Sequence, residues 1–148
     1  MPKEYSSIEM HTAEHILNQT MVRKFGCDRS KISHIEKKKS KCDYLLASPP
    51  TEHELRDVVD KVNEIIFQNL DVTAQIVPLS AVPSSVDLSK LPEGVGESLR
   101  LVYVGDYDIC ACIGQHVSNT SEIGRFVIIS SDYEDGRFRI RFKLEARS

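Results

Sequence analysis

The first recurring pattern of apolar residues in the chain is helical. Between residues 7 and 25, apolar side chains recur every three or four positions, which is the spacing of one face of an α-helix. Ser6 or Ser7 can cap the start of this helix, and Gly26 stands where a helix commonly ends. We therefore expect an amphipathic helix. Its apolar positions are Ile8, Ala13, Ile16, Leu17, Met21 and Phe25.

A capping motif predicts the start of a second helix. Thr51 is a favourable N-cap residue, and Glu54, three positions later, completes a capping box. Apolar residues then recur at helical spacing, which predicts one buried stripe. The stripe comprises Leu55, Val58, Val59, Val62, Ile65, Ile66 and Leu70.

The patterns between and after the helices favour strands. "KISHIEKK" and "CDYLLAS", on either side of a charged turn, suggest a hairpin, and "DVTAQIVPL" suggests a strand. "LRLVYVGDYDICAC" supplies one or two further strands. A connector rich in serine, proline and glycine, residues 80–98, lies before it.

The end of the chain predicts a second hairpin, which turns at residues 134–136. In "RFRIRFKL" the alternation is strict, so that Phe138, Ile140, Phe142 and Leu144 share one face and Arg137, Arg139, Arg141 and Lys143 the other. The order of elements predicts an α+β fold with two helices packed on an antiparallel sheet. We expect one domain over residues 1–148.

Composition limits the class of protein. With 148 residues, 41% of them apolar and 28% charged, the chain is typical of a soluble globular domain. No apolar run approaches the roughly 20 residues of a membrane span, and "MPKEYSSIEM" has no apolar signal core, so we expect a cytoplasmic protein. The four cysteines are then expected to be reduced thiols, some of them metal ligands. Because the net charge is −3, any contact with nucleic acid must be local.

"HTAEHIL", residues 11–17, raises a question of chemistry. His11 and His15 are four residues apart, so a helix places both on one face, where they can bind one metal ion. A zinc protease of the H-E-x-x-H class needs a glutamate directly after the first histidine, and Thr12 occupies that position. The protease interpretation is therefore excluded. Taken alone, the pair also fits two histidines on a helix flank that bond to solvent or backbone.

A second half-site lies about a hundred residues later. "CACIGQH", residues 110–116, places Cys112 and His116 four positions apart around Gly114 in a strand-to-turn segment. Together with the two helix histidines they form a nitrogen and sulfur set that suits tetrahedral zinc and disfavours Mg²⁺ or Ca²⁺. Two alternatives stay open: Cys112 is a core residue and His116 a loop residue, or Cys110 is the ligand.

The two motifs together resemble a known family. "HTAEH" followed by "CIGQHVSNTSEIG" is similar to the editing domain of alanyl-tRNA synthetase, in particular to the free-standing AlaX proteins, and more weakly to that of threonyl-tRNA synthetase. The resemblance implies an editing-domain-like fold. It assigns the metal ligands to His11, His15, Cys112 and His116. The chain departs from the Gly-Gly-Thr of that family at residues 113–115, "IGQ", which puts its substrate preference in question.

The implied activity is zinc-dependent hydrolysis of mischarged tRNA(Ala), with seryl-tRNA(Ala) and then glycyl-tRNA(Ala) as substrates and the tRNA acceptor end as partner. The chain has no G-x-x-x-x-G-K-[ST] motif and is too short to add a synthetase core, so we expect editing in trans without ATP. Two other hypotheses are a non-catalytic zinc-stabilised module that binds RNA or a synthetase, and a zinc hydrolase of another small ester.

Candidate catalytic and binding residues surround these motifs. Gln115 and Glu14 are candidates for the chemistry, and Ser33 for recognition of a serine hydroxyl. Four ligands close a tetrahedral site, so the sequence leaves open whether zinc activates water or holds the substrate. Two basic groups are candidates for tRNA contact and equally fit protection of an edge strand. One comprises Lys37, Lys38, Lys39 and Lys41, and the other Arg137, Arg139, Arg141 and Lys143.

Overall fold

The computed structural model describes residues 2–30, 32–36, 38–84, 86 and 98–146, with side chains from residue 8 onward. Within them the chain forms two long helices and seven strands. The helices are α1 (Pro2–Phe25) and α2 (Glu52–Phe67). The strands are β1 (Ile32–His34), β2 (Ser40–Leu45), β3 (Val72–Pro78), β4 (Ser98–Val104), β5 (Asp108–Ala111), β6 (Arg125–Glu134) and β7 (Arg137–Glu145). Residue 85 and residues 87–97 of the predicted connector lie outside the described part.

The α+β class is confirmed, but the strands form two sheets rather than one. The first sheet has the order β1-β2-β7-β6 and the second β3-β4-β5, and every pairing is antiparallel. The second sheet is a local meander, whereas the first joins β2 to β7 across most of the chain. Local patterns show which segments are strands but not which distant strands pair, so the division into two sheets was not predictable from them.

Helix α1 starts earlier than its apolar spacing indicated. It begins at Pro2, so Ser6 and Ser7 lie within the helix and the predicted serine cap is wrong. Proline favours the first helical position, because its missing N–H has no helical partner there. At the other end Gly26 has φ 68° and donates its N–H to Val22 O at 2.9 Å, as predicted for a terminating glycine.

The middle of α1 is buried on all sides. Every residue from 12 to 18 is buried, including the polar Thr12, Glu14, His15 and Asn18. The apolar side packs into the main core, and the polar side lies against β5 of the second sheet. The expectation of an amphipathic helix was therefore too simple, because the second sheet covers the polar face as well.

The main core lies between the helices and the first sheet. Thr51 caps α2 in the predicted capping box with Glu54, although the helix ends before Leu70. Strand β7 alternates as predicted. Core residues include Val58, Val62, Ile65 and Ile66 of α2 and Phe138, Ile140 and Phe142 of β7. A smaller cluster around Leu99, Leu101 and Val86 covers the other face of the second sheet.

None of the helices in the described part of the chain is both long and apolar enough to cross a membrane. All four cysteines are free. Any metal-binding thiol is therefore available as a single ligand rather than locked in a disulfide.

Candidate metal centre

Four side chains from two distant segments converge beside α1. His11 and His15 project from the helix, and Cys112 and His116 come from the turn that follows β5. One potential ligand atom from each lies within 4.8 Å of those of the other three. The structure thus brings together the four residues that the two sequence motifs singled out. Cys110, the alternative ligand, is not part of this group.

The distances within the cluster match a tetrahedral zinc site. Zinc bonds of about 2.0 Å to nitrogen and 2.3 Å to sulfur place two tetrahedral ligands about 3.6 Å apart. The Sγ atom of Cys112 lies 3.6 Å from Nε2 of His11 and 3.6 Å from Nε2 of His116. The donor set and its spacing therefore fit one zinc ion.

Neighbouring polar atoms fix the protonation of two ring nitrogens. His11 Nδ1 donates to the backbone O of Gln115 at 3.2 Å, because a carbonyl can only accept. Thr12 Oγ donates to Ile8 O at 3.2 Å, so the hydrogen bond of 2.9 Å between Thr12 Oγ and His116 Nδ1 is donated by the imidazole. Both rings then present an unprotonated Nε2 to Cys112, which is the tautomer that a metal ligand requires.

The third imidazole is oriented by a buried carboxylate. His15 Nδ1 lies 3.6 Å from Asp108 Oδ2, at ion-pair distance, and has no closer polar partner in the described part of the chain. Asp108 in turn accepts two hydrogen bonds from Arg29, at 2.7 and 3.2 Å, and one from Gln19 at 3.1 Å. A carboxylate behind a ligating histidine is a common arrangement at zinc sites, where it fixes the ring and raises its basicity.

The charges of this cluster favour a thiolate. Burial by itself raises the pKa of Cys112, but its contacts with the imidazoles of His11, His116 and His15 lower it to about 3. For His15, burial lowers the pKa, but the carboxylate of Asp108 and the sulfur of Cys112 raise it to about 9. For His116, burial and the charges of its two neighbouring histidines outweigh Cys112 and lower the pKa to about 4. The cluster thus provides the deprotonated sulfur that zinc binds.

The turn that carries Cys112 and His116 is held close to the helix. A Cβ atom added at Gly114 would overlap Cε1 of His11 and lie 2.8 Å from its Nδ1, so only glycine allows this approach. The NH1 group of Arg100, on β4, donates to the carbonyls of Cys112 and Gly114 at 2.9 and 2.8 Å. Arg100 therefore anchors the turn to the second sheet.

Of the two candidate catalytic residues, one is buried beside the ligand atoms and the other is exposed. Glu14 is buried, and its Oε1 lies 3.8 Å from Nε2 of His11, the nitrogen that faces the cluster. Gln115 is exposed, and its contact with the cluster is made by its backbone oxygen. Of the two, only Glu14 places a charged group beside the ligand atoms.

Ser33 is half-buried on β1 and pairs in register with Cys42 on β2. Cys42 is fully buried in the core cluster that also contains Met10, Ala13 and Leu17 of α1. Cross-strand partners share a face of the sheet. Ser33 therefore projects from the face turned towards α1, although it is not among the clustered ligands.

The basic candidates divide into paired and unpaired groups. Arg139 makes two hydrogen bonds to Asp43, at 2.7 and 2.9 Å, so its charge is neutralised within the fold. Arg141 contacts Asp132 at 2.9 Å. Lys38 and Lys39 are exposed, and Lys37 lies outside the described residues.

Sequence reasoning missed Asp108, Arg29, Arg100 and the role of Thr12. Asp108 could have been found from the sequence. It lies four positions before Cys112 in an extended segment, and the alternation of side chains places both residues on one face. Arg29 and Arg100 carry no local signal, since each acts through a contact that only the tertiary fold creates.

Comparison with known proteins places this geometry in context. Residues 99–141 match the model of the "Threonyl and Alanyl tRNA synthetase second additional domain". The alanine–tRNA ligase of Bacillus subtilis is 32% identical over 124 residues, which are 83% of this chain and 14% of the ligase. That of Staphylococcus saprophyticus is 32% identical over 130 residues, or 86% of this chain and 15% of the ligase.

The alanine–tRNA ligase of Bacillus velezensis gives a similar result, with 31% identity over 124 residues. The chain thus spans 14 to 15% of the length of the relatives it matches. The resemblance carried by the two motifs is confirmed: the chain is similar over most of its length to one part of the alanyl-tRNA synthetases, and residues 99–141 match the second additional domain that the threonyl and alanyl enzymes share.

Proposed function

We propose that the protein is a zinc-dependent aminoacyl-tRNA deacylase that hydrolyses mischarged tRNA(Ala), with seryl-tRNA(Ala) as its main substrate and glycyl-tRNA(Ala) as a second. The observation that carries this proposal is the convergence of His11, His15, Cys112 and His116 next to the carboxylate of Glu14. The similarity to alanine–tRNA ligases supports tRNA as the partner, recognised at its acceptor end.

The four clustered residues would hold the zinc ion. When bound, zinc supplies Lewis-acid polarisation, which makes the ester carbon more susceptible to attack. The side chain of His11 is 25% exposed, so the cluster is open to the outside along this ring. The substrate ester is expected to enter beside His11.

Glu14 is the proposed general base. Its carboxylate accepts a proton from the attacking water as the water oxygen bonds to the ester carbon. It then returns the proton to the ribose oxygen as the carbon–oxygen ester bond breaks, which leaves a free amino acid and tRNA. The distance of 3.8 Å between Glu14 Oε1 and His11 Nε2 supports this role. Gln115, exposed on the adjacent turn, is proposed to contact the aminoacyl group.

Ser33 is proposed to recognise the side-chain hydroxyl of a bound serine. It projects from the face of the first sheet that carries Cys42, which packs in the core against α1. A site that bonds a hydroxyl discriminates strongly against a substrate that lacks one, because its polar group is left unpaired. This would protect correctly charged alanyl-tRNA(Ala) from hydrolysis.

A second candidate function follows from the number of ligands. Four protein ligands close a tetrahedral zinc site, which is typical of structural zinc. A zinc-stabilised binding module for RNA or a synthetase would have this site and no turnover.

The proposal is tested by the deacylation rates of seryl-, glycyl- and alanyl-tRNA(Ala), measured side by side for the wild type and for Glu14→Gln. We expect seryl-tRNA(Ala) to be hydrolysed fastest and the variant to be slower by about 10²- to 10⁴-fold, the usual contribution of a general base. Glu64→Gln, an exposed position on α2, is the matched control.

Three other results would overturn the proposal or part of it. Tight tRNA binding without turnover would favour the binding module. Hydrolysis of free amino acid esters but of no aminoacyl-tRNA would indicate a different esterase. Equal rates for the wild type and Glu14→Gln would remove Glu14 from the mechanism.

A further inference from the structure

The two basic stretches of the sequence meet on the outer face of the first sheet. The register pairs Lys41 of β2 with Arg141 of β7, and His34 of β1 with Lys41. Cross-strand partners project from the same face. Their neighbours Cys42 and Ile140 point into the core, so this row lies on the face opposite the helices.

The row borders a small cavity. His34, Lys39, Lys41 and Arg141 line it together with Glu36 and Ser40, and its volume is about 210 Å³. Three side chains of the lining are cationic at neutral pH and one is anionic, with His34 counted as neutral. The lining therefore carries more positive than negative charge in a protein whose net charge is −3.

These positive charges are only partly neutralised within the described part of the fold, where Arg141 alone has an ion pair, with Asp132. On the same strand face Arg139 is bound by Asp43, and Lys143 is paired with Glu145 at 3.3 Å. Neither Lys39 nor Lys41 has an ion pair with any described acidic residue, and both oxygens of the nearby Asp43 are taken by Arg139.

Arg141 is only partly engaged. Its NH1 group contacts Ser130 and lies 2.9 Å from Asp132, and neither its Nε nor its NH2 group makes a hydrogen bond to a residue that the structure describes. A guanidinium group has five N–H donors. Donors thus remain available for an anion in the cavity.

We infer that this cavity binds a backbone phosphate of the tRNA, an inference that rests on the proposed function. Lysine and arginine around a concave surface bind phosphate oxygens through charge and hydrogen bonds. The position also suits a polynucleotide. Strand β1 is the edge of the sheet, and its Ser33 faces α1 while His34 faces the cavity. An RNA strand that crosses this edge reaches both the cavity and the interior of the site.

The inference explains how an acidic protein contacts RNA locally. It also separates the basic residues that the sequence grouped together: Lys39, Lys41 and Arg141 contact phosphate, whereas Arg139 stabilises the sheet. Each neutralised phosphate contributes about 0.7 to 0.9 to the slope of log affinity against log salt concentration.

The test is the binding of uncharged tRNA(Ala), which carries no ester, at several salt concentrations. Lys39→Gln, Lys41→Gln and the double variant Lys41→Gln/Arg141→Gln are compared with Lys61→Gln, an exposed lysine of α2 that packs on the other side of the sheet. We expect each cavity lysine variant to bind about 3- to 10-fold more weakly and with a salt slope smaller by about 0.7 to 0.9, and Lys61→Gln to match the wild type. Because Lys39 is exposed, its substitution leaves the fold intact.

Unchanged affinity and slope in the cavity variants, with a wild type that binds tRNA, would overturn this inference and leave the proposed function standing. A wild type that neither binds nor deacylates any tRNA would overturn both. A second arm titrates inorganic phosphate alone: if phosphate binds in the cavity and does not compete with tRNA, the cavity is a site for small phosphates and the inference fails.

Discussion

The hydroxyl of Thr12 lies 2.9 Å from Nδ1 of His116 and also accepts the backbone N–H of Val117 at 3.2 Å. One side chain of the helix therefore holds both the ring and the backbone of the turn. Thr12 occupies the position where a zinc protease would carry its catalytic glutamate. In this fold the side chain at that position orients the candidate metal ligand His116 instead.

Replacing Thr12 with valine is expected to weaken zinc binding by about 10- to 100-fold, the usual effect of removing a group that orients a metal ligand. Valine keeps the shape of threonine but cannot accept the N–H of His116 Nδ1. Affinity is measured by competition with a chromophoric chelator. Thr12→Ser, which restores the hydroxyl, should recover most of the affinity, and equal affinity in the valine variant would show that Thr12 plays no part in orienting the ligand.

Gly114→Ala is expected to displace the His11 ring, since the added Cβ overlaps Cε1 of that ring. Forced overpacking costs about 1–3 kcal/mol, so zinc affinity should fall by about 5- to 150-fold, while the backbone φ of this glycine imposes no strain on alanine. The neighbouring variant Ile113→Ala, at a residue that is 75% exposed, serves as the control. Wild-type zinc affinity in Gly114→Ala would contradict the close packing of the turn against the helix.

Asp108→Asn is expected to lower both zinc affinity and stability. The amide cannot polarise His15 as the carboxylate does, which predicts a 10- to 100-fold loss of zinc affinity. Arg29 loses its charged partner, and breaking a buried ion pair costs up to about 3–5 kcal/mol. The readouts are chelator competition and the urea midpoint. Asp132→Asn, on the surface, is the matched control, and it should change neither quantity appreciably.

The fold should show one identifiable dependence on acid. Hydrogen bonds from Arg139 hold the pKa of Asp43 below its ordinary value of 3.8. A lowered pKa in the folded state adds stability that is fully present above the ordinary value and is lost as the pH falls through the folded pKa. The urea midpoint of the wild type should therefore exceed that of Asp43→Asn at pH 7, and the difference should shrink below about pH 4. A constant difference from pH 7 to pH 3 would show that the charge of Asp43 is irrelevant.

Much of the fold was accessible from local patterns. The capping box of Thr51, the alternation of β7 and the terminating Gly26 each predicted an element that the structure contains. These signals concern a few neighbouring residues, whose preferences are decided by backbone geometry and the local capping of N–H groups. The split into two sheets and the burial of the middle of α1 on all sides depend on contacts between distant segments, which no local pattern encodes.

In the candidate site, too, the local motifs were readable from the sequence and the tertiary contacts were not. The spacing of His11 with His15, and of Cys112 with His116, indicated two half-sites, and the fold joins them. The residues that orient them could not be found in this way. Asp108 acquires its role because β5 lies against α1, and Arg100 because β4 lies beside the turn. Likewise, Arg139 and Arg141 look alike in the sequence, and only the fold places Asp43 opposite Arg139 and Lys41 opposite Arg141.

The central claim is that one zinc ion, held by His11, His15, Cys112 and His116, is required for hydrolysis of mischarged tRNA(Ala). The most direct measurement determines the zinc content of the purified protein and its rate on seryl-tRNA(Ala) before chelation, after chelation and after zinc is restored. The account predicts one zinc per chain, loss of hydrolysis with the metal and recovery on its return, and neither zinc nor activity in His11→Ala/His15→Ala. Full hydrolysis by the zinc-free protein would contradict it.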